Sequence, residues 1–271
     1  MARRRGNTSK ASDRYIAGKN SCSLLLEDLA ANGGESSSLC AEAAYSVQDI
    51  SCFYVQPLKR GREEKGRLEQ LAQGLDIPVK HLTRDAMDEM VHHVAHQGCI
   101  LELFARKYLG KKELKTYLAD KDDSIVVAVD ELYDPANLGS ILRAAECFGV
   151  HAVLWSKNRG VGVTPAVTKV SSGASERVPL VPVSNLRSVL VELQQEDFAV
   201  IVADGGEGSS ELAGFSAPSR SVLVLGSEGK GVQPLIRKEA DFSVQIPMVG
   251  KIDSLNVSQA CAVFLSFIST R

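Results

Sequence analysis

From residue 124 onward the chain repeats one pattern: a short run of β-branched and apolar residues, a turn, then apolar residues at every third or fourth position. The short runs are Ile125 to Val129, Ala152 to Trp155, Val178 to Val183, Ala199 to Ala203, Val222 to Leu225 and Phe242 to Ile246. Helical spacing falls on Leu138 to Phe148, Pro165 to Ser172, Leu186 to Glu196, Pro234 to Ala240 and Ser254 to Ser269. A strand with one wet face alternates apolar and polar residues, and these runs do not, so both of their faces are covered. Strands of that kind alternating with helices predict an α/β fold built on a parallel sheet. In the last helix Val257, Ala260, Cys261, Phe264, Phe267 and Ile268 recur with few polar residues opposite. That predicts cover on more than one face, such as a second subunit would provide.

The first half is patterned differently. Residues 15–105 alternate helical and strand patterns: a helix at Cys22 to Ala31, a strand at Ile50 to Val55, a helix at Glu63 to Leu75, a strand at Ile77 to Leu82, a short helix at Asp85 to His92 and a strand at Cys99 to Phe104. This reads as a small separate α/β module, with the Gly/Ser-rich stretch 32–38 as a loop inside it. Residues 106–123 are polar and lysine-rich and read as a linker or short connecting helix. Residues 1–14 read as a basic flexible tail ahead of the module.

Charge narrows the function. The chain carries 31 Lys+Arg against 33 Asp+Glu, a formal net charge of −2, which excludes a uniformly basic nucleic-acid-binding protein but not a local basic patch. Three stretches concentrate positive charge: Arg3 to Lys19, Lys59 to Arg67 and Arg106 to Lys115. Nothing approaches the ~20 apolar residues needed to cross a bilayer, and no secretory signal opens the chain, so a soluble protein inside a cell or organelle and no membrane partner are expected. A transit peptide at the Arg/Ser-rich start would be unusually short. Cys22, Cys40, Cys52, Cys99, Cys147 and Cys261 contain no C-x-x-C pair and read as reduced, small hydrophobic residues. His92, His93 and His96 lack an acidic partner at metalloprotease spacing, and no metal is expected there.

Neither a Walker A loop nor G-x-G-x-x-G after the first strand of the second half is present, which counts against an NTPase or a standard dinucleotide enzyme. Three segments at strand C-terminal ends remain, where open α/β sheets bind ligands. The first is Asn137-Leu138-Gly139-Ser140-Ile141-Leu142-Arg143, with Asn137 read as a helix N-cap and Arg143 nearly two turns in, on an otherwise apolar helix. An arginine there either finds a carboxylate, carbonyl or phosphate or snorkels to the surface. The second, Leu225-Gly226-Ser227-Glu228-Gly229-Lys230-Gly231, brings backbone N–H groups toward a ligand beside Glu228, or is a plain glycine turn. The third runs from Ile246-Pro247-Met248 to Ser254-Leu255-Asn256-Val257-Ser258 and holds more polar groups than one N-cap requires.

Together these segments resemble the SpoU/TrmH branch of the SPOUT superfamily, with its motifs N-x-G-x-x-x-R, L-G-x-E-G-x-G and I-P-M followed by S-L-N-V-S. Lys169 to Pro179 resembles the family's linking segment. Tyr15-Ile16-Ala17-Gly18 and His96-Gln97-Gly98 resemble signatures of the ribosomal-protein-like substrate-binding domain of the bacterial ribosomal RNA guanosine members. The resemblance implies a C-terminal parallel-sheet domain over residues 124–271 with a trefoil knot, preceded over 15–105 by an RNA-binding domain, and a homodimer formed through the catalytic domain. It implies transfer of a methyl group from S-adenosylmethionine, with no metal, to a ribose 2′-hydroxyl, most closely that of a guanosine in large-subunit ribosomal RNA. Gly226, Ile246 and Leu255 would line the adenosylmethionine pocket, and Asn137, Arg143, Glu228, Ser254 and Asn256 would form the catalytic cluster. A transfer RNA enzyme of the same fold and a non-catalytic ribosome-assembly factor are the rival readings. The implied setting is a bacterial cytoplasm, or an organellar matrix or stroma in a eukaryote.

Overall fold

The computed structural model of the chain describes residues 13–38, 40–57, 63–206, 208–227 and 229–270. The basic tail therefore lies outside the described residues apart from Asp13 and Arg14, and much of the Lys59 to Arg67 stretch lies outside them too.

The first half folds as β1 (Tyr15–Ala17), α1 (Lys19–Ala31), β2 (Ile50–Val55), α2 (Glu63–Gly74), β3 (Val79–His81), α3 (Arg84–Met90) and β4 (Cys99–Leu103). The strands lie in the order β1-β4-β2-β3, with β4 antiparallel to both neighbours and β3 parallel to β2. Central β4 is buried at all five positions, which is why Cys-Ile-Leu-Glu-Leu is nearly all apolar. Leu25, Leu26 and Leu29 of α1 and Leu68 and Ala72 of α2 close one side of this sheet against Phe53 and Leu101. The strand expected from Ile77 shortens to β3 because the Ile77 N–H instead closes the end of α2 on the Ala72 carbonyl, at 2.9 Å.

The stretch 106–123, read as a linker or short connecting helix, contains a helix packed on the second half. Residues Lys111–Ala119 form α4, and its Leu114 and Leu118, with Leu109 ahead of it, are buried among Val126, Ala128 and Leu190 of the second half. Its cations are also engaged: Lys111 pairs with Glu192 at 2.6 Å, Lys115 approaches Glu192 and Glu196 at 3.7 and 3.4 Å, and Lys107 meets Asp49 at 2.8 Å. Arg106, the first residue of the basic stretch Arg106 to Lys115, is buried, with its side chain 0% exposed. A basic run in sequence is thus a set of intramolecular ion pairs in space.

The second half runs β5 (Ser124–Val129), α5 (Pro135–Cys147), β6 (Ala152–Ser156), α6 (Pro165–Ser171), β7 (Leu180–Val183), α7 (Leu186–Gln194), β8 (Ala199–Ala203), β9 (Ser210–Glu211), β10 (Arg220–Leu225), α8 (Pro234–Glu239), β11 (Phe242–Gln245) and α9 (Val257–Ile268). Its seven strands are all parallel, in the order β7-β6-β5-β10-β8-β11-β9. β5 is buried throughout because alternate residues feed two cores. Val127 and Val129 meet Leu138, Ile141, Leu142, Phe264 and Leu265 on one side, and Val126 and Ala128 meet Leu190, Val200 and Val224 on the other. Five of the six cysteines are buried and all six are free thiols, with Cys147 the exposed one. No helix among the described residues is long and apolar enough to cross a membrane.

The chain winds outward from β5 through β6 to β7, then returns on the other side with β10 against β5. The crevice between β5 and β10 is therefore the point where strand order reverses, the place where open α/β sheets take ligands.

Candidate functional site

The site is built outward from the end of β5. Its last residue but one before α5, Tyr133, precedes Asp134, whose carboxylate accepts the Ala136 N–H at 2.9 Å and caps the helix, with Pro135 in the first turn. Asp-Pro is a strong start signal because proline has no N–H to leave unsatisfied and its φ is already helical. Asn137 is accordingly inside the first turn and not the N-cap expected from sequence, and it is only 7% exposed. Gly139, next along, has a packing role. A β-carbon there would lie 2.7 Å from the Val170 Cβ and 3.0 Å from the Val167 carbonyl oxygen, so α5 and α6 meet backbone to side chain at this residue.

Asn137 is joined across 119 residues of sequence to the third motif. The Asn256 side-chain N–H donates to Asn137 Oδ1 at 2.9 Å. Asn256 Oδ1 in turn accepts the Ser258 N–H at 2.9 Å and the Ser258 hydroxyl at 2.6 Å, which makes Asn256 the N-cap of α9. That helix therefore starts at Val257, and Ser254 stands in the loop before it, exposed, with its hydroxyl 3.3 Å from the Asp253 carboxylate. β11 is separated from β5 by β8 and β10, so the loop from Ile246 to Asn256 passes over the ends of both to reach Asn137. Packing of α9 on α5 holds the bond in place, with Phe264, Leu265 and Cys261 beside Ile141 and Leu142. Burial pushes the Cys261 thiol up to about 12, so it is a neutral filler of that core.

The second motif folds back on itself, Ser227 and Gly231 exchanging backbone hydrogen bonds of 3.1 and 2.9 Å. A β-carbon on Gly226 would fall 2.1 Å from the Gly231 carbonyl carbon and 2.3 Å from the Val232 nitrogen. Only glycine fits where these two backbones cross. Beside this tight loop, the third-motif loop leaves apolar side chains uncovered: Ile252 is 77% exposed, and Met248 and Leu255 are also exposed. Ile246, half-buried, anchors the loop against the core. Glu228 lies outside the described residues.

Arg143 is exposed and has no hydrogen bond or ion pair with a described residue. Six residues along an α-helix carry it ~9 Å from Asn137 along the axis and about 120° around it. It shares instead the face of Gly139, one turn earlier, which borders α6. The structure thus brings Asn137 and Asn256 together, and leaves Arg143 and Ser254 exposed outside that contact. Among the described residues no group of three or more metal-ligating side chains converges. His96 is a structural residue: its Nδ1 accepts the Gly98 N–H at 2.9 Å, so Nε2 bears the proton and donates to Asp88 at 3.1 Å.

Sequence reasoning missed the seam between the two sheets. Thr168 of α6 accepts the Ala17 N–H of β1 at 3.0 Å through its hydroxyl, and its carbonyl accepts the Ser21 hydroxyl at 2.8 Å. Just beyond α6, Glu176 forms a 2.9 Å ion pair with Arg106, both side chains 1% exposed or less. Ser175 donates to the same carboxylate at 2.8 Å, and Arg106 Nε donates to the Asp13 carbonyl at 2.8 Å. Burial works against the charge on Arg106, but the Glu176 carboxylate paired with it outweighs that and holds the guanidinium charged. The one sequence signal was Lys169 to Pro179, polar at a position where the surrounding pattern is apolar.

Comparison with known proteins places this architecture. The family model described as the SpoU rRNA Methylase family matches residues 124–266. The 23S rRNA (guanosine-2′-O-)-methyltransferase RlmB of Haemophilus ducreyi is 34% identical over 236 residues, covering 83% of this chain and 96% of its own. The protein of that name from Pseudomonas aeruginosa is 39% identical over 199 residues, 73% of this chain and 79% of its own. Among solved structures, the SpoU methyltransferase AviRb from Streptomyces viridochromogenes superposes with a TM-score of 0.71 over 94% of this chain and 88% of that one, at 18% identity. An AdoMet-bound rRNA methyltransferase from Sinorhizobium meliloti does so at 0.70, covering 94% and 86%, at 17% identity, so the likeness to both is one of fold. With the matched region spanning all three motifs and the sheet that carries them, the chain belongs to the SpoU rRNA methylase family.

Proposed function

We propose that the protein transfers the methyl group of S-adenosylmethionine to the ribose 2′-hydroxyl of a guanosine in large-subunit ribosomal RNA. The observation that carries this reading is the Asn256–Asn137 hydrogen bond, which closes the first and third motifs into one polar site at the β5–β10 crevice. The names of the relatives from H. ducreyi and P. aeruginosa support the substrate.

The methyl donor fits the two loops beside that bond. Gly226 would let the Gly231–Val232 backbone close into the tight loop that lines the donor, and Ile246 and Leu255 would supply apolar contact. When bound, it supplies a methyl group on a cationic sulfonium, a leaving group that calls for no metal. The work left to the chain is alignment of the 2′-oxygen with the S–CH₃ bond and stabilisation of charge on that oxygen. Asn256 and Asn137 orient the ribose, with Ser254 on the exposed loop beside them; Glu228 is assigned to the same cluster by its motif alone. A guanidinium keeps its proton under any working condition and is a poor base, so Arg143 grips the phosphate beside the target ribose and stabilises the developing oxyanion. The proton leaves by another route, the substrate phosphate being one.

Arg143 stands on a different face of α5 from Asn137, and Phe267 of α9 is 51% exposed on an otherwise apolar helix. Both features support a homodimer formed through α5, α9 and the 246–256 loop. The insertion of β10 between β5 and β8 and the return of the last loop to β5 support the family's knot. The sheet of residues 15–105 is the RNA-recruiting unit, which favours ribosomal over transfer RNA. The test is mass-spectrometric mapping of 2′-O-methyl groups in total RNA with and without the protein. Loss of one methylated guanosine in large-subunit RNA is expected; loss from a transfer RNA, or no loss, would overturn the substrate.

A further inference from the structure

Three loops meet at the ends of the neighbouring strands β6, β5 and β10, and the middle one presents an aromatic ring that the fold does not use. Tyr133 is 64% exposed. An exposed tyrosine on a loose loop is ordinary surface, but this turn is fixed on every side. Before it, the Leu132 carbonyl accepts the Val161 N–H of the β6 loop at 2.7 Å. Asp130, 1% exposed, accepts the Gln233 backbone N–H at 2.9 Å and its side-chain N–H at 2.6 Å. Glu131 holds a left-handed φ of 53° and accepts Arg159 Nη1 at 3.3 Å, while the same nitrogen reaches Gln233 Oε1 at 3.1 Å. After it, Asp134 caps α5. Backbone strain of this kind persists only where the surroundings over-determine it and concentrates at functional sites.

Two chemical groups stand out on this rigid edge. Tyr133 stands four residues ahead of Asn137, on the loop that follows β5. The Arg159 guanidinium, its side chain 60% exposed, is oriented by its neighbours through one nitrogen, and no described residue takes its other N–H groups. An exposed aromatic ring and an oriented arginine on two loops bonded to each other suit a single-stranded nucleotide: the ring stacks on a base of any identity, and the guanidinium takes a phosphate. Single-stranded loops and bulges of RNA offer such bases, splayed out and free to stack on an aromatic side chain.

We propose that Tyr133 and Arg159 form an RNA subsite, the ring stacking on an unpaired base next to the methylated ribose and the arginine contacting a backbone phosphate. This rests on the methyltransferase reading above and adds to it the residues that grip the strand. The occupant is the RNA and not the adenine of the donor, because Gly226, Ile246 and Leu255, which would line the donor, lie on the loops of β10 and β11, and the Tyr133 and Arg159 loops meet the β10 loop at Gln233, seven residues past Gly226.

The experiment compares the full chain with Tyr133→Ala, Tyr133→Phe and Arg159→Ala. Protein-free large-subunit ribosomal RNA serves as ligand in filter binding and as acceptor in methyl transfer. Calorimetry with S-adenosylmethionine alone and sedimentation accompany each variant. Tyr133→Ala should weaken RNA binding by roughly 5- to 150-fold, the range for loss of one base–aromatic stack, with donor affinity and oligomeric state unchanged. Tyr133→Phe, which keeps the ring, should restore binding. Arg159→Ala should weaken RNA binding and lower its salt dependence by about one charge. Wild-type RNA affinity in Tyr133→Ala would overturn the subsite, as would a loss of donor affinity, which would give the ring to adenine, or a change of oligomeric state, which would make it a subunit contact. The binding arm needs no turnover, so a wild-type protein that binds RNA without methylating it would count against the proposed activity while the variants still decide the subsite.

Discussion

The ion pair at the seam offers the sharpest energetic test. Glu176→Gln changes charge and almost nothing else: the side chain keeps its shape, and the Ser175 hydroxyl, 2.8 Å away, still finds an acceptor oxygen. What it removes is the counter-charge to Arg106, whose side chain is 0% exposed and whose Nη2 has no hydrogen-bond partner among the described residues. Breaking a buried pair from one side costs about 3–5 kcal/mol, because the other charge stays buried. A protein of this size is stable by roughly 5–15 kcal/mol and loses ~2–4 °C of melting temperature per kcal/mol, so Glu176→Gln should melt roughly 6–20 °C below wild type. Arg106→Met should fall by a similar amount. The double variant Arg106→Met/Glu176→Met should regain most of the loss, since an apolar pair of similar volume replaces two charges that were costly to bury. Differential scanning calorimetry supplies the melting temperatures, and limited proteolysis of residues 104–110 shows whether the seam opens first. A loss under ~1 kcal/mol in Glu176→Gln, or a double variant as unstable as the sum of the singles, would refute the reasoning.

Four further outcomes are expected. Arg143→Ala should abolish methyl transfer while S-adenosylmethionine still binds calorimetrically; near-normal turnover would remove the arginine from the mechanism. Gly139→Ala should lower the melting temperature although alanine is the better helix former by ~1 kcal/mol, because its methyl group would sit 2.7 Å from Val170 Cβ; a more stable variant would show that α5 and α6 have slack there. RNA affinity should fall steeply between low and moderate salt while donor affinity barely moves, measured on one preparation; parallel slopes would contradict the separation of the two surfaces. A chelator should leave the transfer rate unchanged in a radiolabelled-methyl assay, and inhibition reversed by added metal would contradict displacement from a sulfonium without metal.

The strands were readable wherever burial on both faces wrote a continuous apolar run. Ile50 to Val55 and Ala199 to Ala203 form at the residues expected. Helix ends were less so. Asn137 looked like a cap because it precedes an apolar stretch, yet Asp134-Pro135 carried the better signal three residues earlier. Ser254 looked helical, whereas the Asn256 side chain ends the loop by capping α9. The motifs revealed which residues matter but not how they meet: Asn137 and Asn256 touch, and Arg143 faces elsewhere. Arg106 was beyond sequence reasoning altogether, since nothing local distinguishes an arginine that will be buried against a carboxylate 70 positions away from one that stays in water.

The bond between Asn256 and Asn137 has a consequence for how the protein comes into being. The bond's two ends lie 119 residues apart, and every strand of the parallel sheet beyond β5 is made between them. Synthesis runs from the N-terminus, so β5, α5 and the whole first half emerge and can fold while the site still lacks one of its two asparagines. The geometry proposed to orient the ribose is therefore among the last parts of the molecule to assemble, and a chain interrupted before Asn256 would keep most of its core and none of that contact.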